Sequence, residues 1–75
     1  MNLFELDADN GRLMDKLEIS RNRIDAARHY LDSPGCNDRF GAAHLERCRD
    51  RRSAILAALR ANRIEGFRLL SLESS

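Results

Sequence analysis

The first half of the chain carries one regular apolar pattern. Leu3, Leu6, Asn10, Leu13, Leu17, Ser20, Ile24, Ala27 and Leu31 follow one another at alternating steps of three and four. That spacing is a heptad seam, the mark of a helix packed along its length against another helix. Asn2 followed by Glu5 offers a capping pair for a helix that begins there. Asp9-Asn10-Gly11 is the weak point, because glycine costs about 1 kcal/mol inside a helix and Asp9 is able to cap a second start. The pattern therefore predicts a helix over about 11–32, with residues 3–9 either its first turns or a separate short helix.

Ser33-Pro34-Gly35-Cys36-Asn37-Asp38 is the segment richest in helix breakers. Proline disfavours helical geometry before it, glycine admits a left-handed turn, and Asn37 or Asp38 can cap a second helix. A loop over 33–38 forces its two helices to lie antiparallel as neighbours. The second helix is predicted over about 39–62, with the stripe Leu45, Cys48, Arg52, Ile55 or Leu56, and Leu59, and Phe40 at its start. Ala54, Ala57, Ala58 and Ala61 supply helix propensity and small surfaces where a helix can come close. Beyond Asn62 the second helix either continues or gives way to a tail or a short third helix within 63–72 capped by Asn62, and Gly66 favours a break or bend.

The expected fold class is all-α: an antiparallel helical hairpin forming one domain. Two helices cannot enclose a core, and Phe4, Met14, Ile19, Tyr30, Ile55, Ile64, Phe67 and Leu70 exceed what the seam can hide. Dimerisation into a four-helix bundle is the simplest completion, and a groove for a partner's helix is the second. Met14, Tyr30, Phe40, Leu56, Ile64, Phe67 and Leu70 are the residues expected to meet that partner.

Composition narrows the classes further. At 75 residues and 8.6 kDa a solitary core is marginal, because folding hides only about 60% of the open chain's surface at this size. With 13 basic and 12 acidic side chains there is no global field to draw the chain to nucleic acid or membrane. No apolar run approaches a membrane span and the N-terminus does not read as a signal peptide, so a cytoplasmic location is expected. Charge is nevertheless sorted: residues 1–36 carry a net −2 and residues 37–75 a net +3, as antiparallel neighbours prefer.

Candidate chemistry is sparse. Cys36 and Cys48 are too far apart along the chain to bridge. His29, Cys36, His44 and Cys48 match no zinc spacing, so neither metal nor cofactor is expected. Arg47, Arg49, Arg51, Arg52 and Arg60 could contact phosphates, although a helix spreads them around its circumference and Glu46 and Asp50 interleave. Asn10 and Arg52 are polar residues on apolar seams, a device that fixes register; a buried Arg52 would need Asp15, Glu18 or Asp25. There is no nucleophile elbow, phosphate loop or histidine metal motif. Arg21, Arg23, Ile24 and Asp25 resemble the first helix of the helical chorismate mutases, but the remaining ligands of that family cannot be placed, and no enzymatic activity is expected.

Leu31, Pro34-Gly35 and Phe40, a leucine, a glycine-containing turn and an aromatic, resemble the type III secretion co-chaperones. That resemblance implies a hairpin that helps hold needle subunits. The layout is also similar to the dimeric hairpins that bind paired RNA loops in plasmid copy control, and to small phage proteins that occupy an interface of a host regulator. The leading expectation is a non-enzymatic adaptor, chaperone or inhibitor, working as a homodimer or on a larger protein. Its rival is a dimeric nucleic-acid-binding regulator using the arginine-rich second helix.

Overall fold

The computed structural model describes residues 1–74, with side chains through Glu73. Two helices make up the molecule: α1 over Leu3–Leu31 and α2 over Asp38–Ser74, packed as an all-α antiparallel hairpin. Each helix settles an alternative that the sequence leaves open. α1 passes through Gly11 without a break, so residues 3–9 are its first turns rather than a separate helix. α2 does not end near residue 62, and 63–72 continue it instead of forming a tail or third helix. The hairpin is a rod of 62 × 15 × 14 Å with a radius of gyration of 17.2 Å. A globular chain of this length would have about 11 Å.

The ends form by local chemistry. Asn2 is extended (φ −91°, ψ 174°), and its side-chain oxygen accepts from the Glu5 N–H at 2.8 Å, capping α1. Asn37 repeats the device for α2, accepting from the Phe40 N–H at 3.0 Å. Between them Gly35 takes φ +77°, a left-handed conformation that other residues adopt only with strain. The Tyr30 hydroxyl accepts from the Asn37 N–H at 3.0 Å, and the Ser33 hydroxyl donates to the His29 carbonyl at 3.0 Å. These bonds tie the turn to the end of α1.

The seam of α1 is the predicted one. Leu6, Leu17, Ser20, Ile24 and Ala27 are buried, and Leu3, Asn10, Leu13 and Leu31 are half-buried. On α2 the inward row is Gly41, Leu45, Cys48, Ile55, Leu59, Asn62, Gly66 and Leu69, again at heptad spacing. Three contacts set the register. A Cβ built at Gly41 would run into Leu31 and come within 3.2 Å of the Tyr30 ring. The Asn62 amide donates to Asn10 at 2.9 Å and to Asp9 at 2.7 Å. Leu6 fills the space above Gly66, 3.4 Å from where a Cβ would stand. These anchors lie at the turn, along the rod and at the open end, and the same register places Ile24 opposite Cys48 and Ser20 opposite Arg52.

One expectation about the second stripe is corrected and two open points are settled. Phe40 does not start it: the ring is 57% exposed, and Gly41 holds the inward position. Arg52 occupies a seam position yet is exposed, because its long side chain reaches water while its Cα stays on the seam. Among the described residues it forms no ion pair with Asp15, Glu18 or Asp25. Of the alternatives Ile55 and Leu56, Ile55 turns inward. The opposite charges of the two halves also form no ion pair across the seam among the described residues; the pairs present, Asp9–Arg12 and Glu65–Arg68, each lie within one helix.

Candidate interaction surface

Because the two helices meet along one line, burial is shallow. Among the described residues no side chain falls below 2% exposure, and the buried apolar residues are Leu6, Leu17, Ile24, Ala27 and Cys48. Outside that line large apolar side chains stand in water: Phe4 is 85% exposed, Ile64 66% and Phe67 61%. All seven residues expected to meet a partner (Met14, Tyr30, Phe40, Leu56, Ile64, Phe67 and Leu70) are on the surface. Most of them fall into two groups. Ile64, Phe67 and Leu70 lie on the last turns of α2, at the open end where α1 begins with Phe4. Tyr30 and Phe40 lie at the turn, edge to face with ring centroids 6.3 Å apart, and Phe40 stacks on His44 at 6.1 Å. Tyr30 therefore has a structural duty that the apolar pattern did not reveal, since its hydroxyl also holds the turn.

One long side of the rod is different in character. Ser20 is small and Arg52 opposite it turns outward, so that layer of the seam is thinly filled. The Ser20 hydroxyl is buried there without a hydrogen-bond partner among the described residues. Beside it opens a cleft of about 370 Å³ lined by Lys16, Ile19, Ser20, Arg23, Arg51, Ala54 and Ile55. A second cleft of about 300 Å³, lined by Arg23, His44, Arg47, Cys48 and Arg51, continues it toward the turn. Arg47 and Arg51, two of the five arginines considered for phosphate contact, thus border one groove. Arg49, Arg52 and Arg60 are exposed but are not on its walls. Arg23 was not among the candidates read from the sequence; its place one residue before the seam position Ile24 is the signal that would have put it beside the groove.

The ionisable groups are mostly solvated. The Glu65 carboxyl is held below its ordinary range by its hydrogen bond to Arg68. The Cys36 thiol is pushed up, chiefly by its hydrogen bond to Asp38, 3.1 Å away. Both cysteines are free. Cys48 Sγ lies 3.8 Å from His44 Nε2, but among the described residues no three His, Cys, Asp or Glu side chains gather as a metal set. Nor, among those residues, is any helix long and apolar enough to cross a membrane. No protein family, curated protein or solved structure matches this chain.

Proposed function

We propose that this protein is a non-enzymatic protein–protein interaction module, a small adaptor, chaperone or inhibitor that acts by helix–helix packing on itself or on a partner protein. The supporting observation is the exposed apolar surface, with Phe4, Ile64, Phe67 and Leu72 all more than 60% in water at the open end of a two-helix rod. Burying one such side chain is worth about 1.5–3 kcal/mol, so a few of them favour assembly over a lone hairpin. The groups of exposed side chains line up along helices, which suits a helical or bundle-forming partner.

Light scattering on the purified chain tests this reading. A dimer of about 17 kDa, or a partly unfolded chain rescued by its partner, is expected from 8.6 kDa monomers. The double variant Ile64→Glu/Phe67→Glu is expected to return the dimer to monomer or to abolish the complex. A compact 8.6 kDa monomer with cooperative unfolding, unaltered by that variant, overturns the proposal. The rival reading, a nucleic-acid-binding dimer, draws less support from an arrangement that leaves Arg49, Arg52 and Arg60 off the groove bordered by Arg47 and Arg51.

A further inference from the structure

We infer that the groove between the helices, on the side of Lys16 and Arg23, is a slot for an acidic amphipathic helix of a partner protein. The inference rests on the interaction-module reading and names the partner's chemistry at one face. The groove exists because the Ser20–Arg52 layer leaves the seam thinly filled and Ala54 adds little bulk beside it. Ile19, Ala54 and Ile55 give it an apolar lining, and the exposed residues Lys16, Arg23 and Arg51 line it too, as long basic side chains do when they cover apolar surface with their stems. The adjoining cleft adds Arg47.

Charge decides the occupant. Among the described residues no carboxylate lines either cleft. Lys16, Arg23, Arg47 and Arg51 form no ion pair among the described residues. Arg23 and Arg51 come from opposite helices to flank both clefts, a like-charge juxtaposition that costs stability until an anion lies between them. From His44 to Ile55 the groove follows about 17 Å of helix axis at 1.5 Å per residue, three turns of a docked helix. A helix with leucines on one face and glutamates beside them meets both needs: its apolar stripe covers the floor and its carboxylates sit between the arginines. A phosphate backbone meets only the second. A third helix in this slot completes a three-helix bundle.

The test uses designed probes and the full chain. One peptide of about 15 residues carries leucines at helical spacing flanked by glutamates. The second replaces those glutamates with lysine, the third scrambles the first, and the fourth probe is a single-stranded oligonucleotide of similar length. Calorimetry should show binding of the acidic amphipathic peptide alone, with amide NMR shifts at Ile19, Ser20, Ala54 and Ile55. The variant Arg23→Gln/Arg51→Gln, at exposed positions that leave the fold intact, should weaken it by at least about tenfold, and added salt should weaken it too. Equal binding of the scrambled peptide, preference for the oligonucleotide, or occupation of the groove by a second copy of the chain would each overturn the inference. Ile64→Glu/Phe67→Glu separates the two proposals: it should disturb assembly while leaving peptide binding intact. Loss of peptide binding with assembly preserved removes the slot and leaves the module.

Discussion

At the scale of single residues, the glycines show how one side chain can have opposite effects in one helix pair. Gly41 is buried where Leu31 and Tyr30 press against α2, so a methyl there displaces Leu31. Overpacking of this kind costs about 1–3 kcal/mol, more than the roughly 1 kcal/mol of helix propensity that alanine adds. Gly11 has open space around it, and a Cβ on Gly66 would rest at ordinary contact distance from Leu6. Thermal denaturation should therefore rank Gly41→Ala below the parent by about 1 kcal/mol, and Gly11→Ala and Gly66→Ala above it by up to about 1 kcal/mol each. The thiols make a second residue-scale prediction. With its pKa raised by Asp38, Cys36 holds its proton to higher pH than a free thiol and reacts slowly at neutral pH. Asp38→Asn should speed its alkylation by iodoacetamide. Cys48, 5% exposed, should stay unmodified until the chain unfolds.

At the scale of elements, the hairpin is two matched seams held in register by polar and glycine layers. Asn62 uses its amide group twice, once on Asn10 and once on Asp9, and a one-turn slip would leave the two asparagines half-buried without each other while Asp9 keeps Arg12. The Gly41 layer acts sterically, because only a position without a side chain accepts Leu31 so closely. Replacing Asn10 and Asn62 together by leucine should raise the melting temperature while permitting shifted pairings, seen as doubled amide resonances. Asn62→Ala alone should destabilise by about 1–2 kcal/mol, because half-buried Asn10 loses its donor and Asp9 is left with Arg12 alone. The α1 seam was legible because burial along one line imposes a single period on many residues at once. The continuity of α2 stayed open, since Gly66 reads locally as a break and the contact it makes, Leu6, arrives from the far end of the chain.

At the scale of the whole molecule, shape and charge act together. A rod 62 Å long and about one helix pair wide hides little of its own surface, which leaves Phe4, Phe40 and Phe67 exposed. Along it the acids and bases do not pair across the seam among the described residues, and the groove gathers Lys16, Arg23, Arg47 and Arg51 on one side. Salt shortens the reach of that repulsion to about 10 Å at 0.1 M and about 3 Å at 1 M. Raising salt from low to moderate concentration should therefore raise the melting temperature of the parent. It should do so much less for Arg23→Gln/Arg51→Gln. A fall with salt in both would mean that attractive pairs dominate instead.

The amino-acid sequence by itself determined that two helices form, the turn over 33–37, the inward row of α1 and the surplus of apolar side chains. Each of these depends on near neighbours or on periodicity, which the order of residues states directly. Tertiary structure decided which way Arg52 points, that Gly41 rather than Phe40 faces α1, that Asn62 bonds to Asn10 instead of capping a third helix, and that Arg23 joins Arg47 and Arg51 around one groove. Those outcomes depend on what stands opposite each residue, and that is set only when residues tens of positions apart come to share one layer.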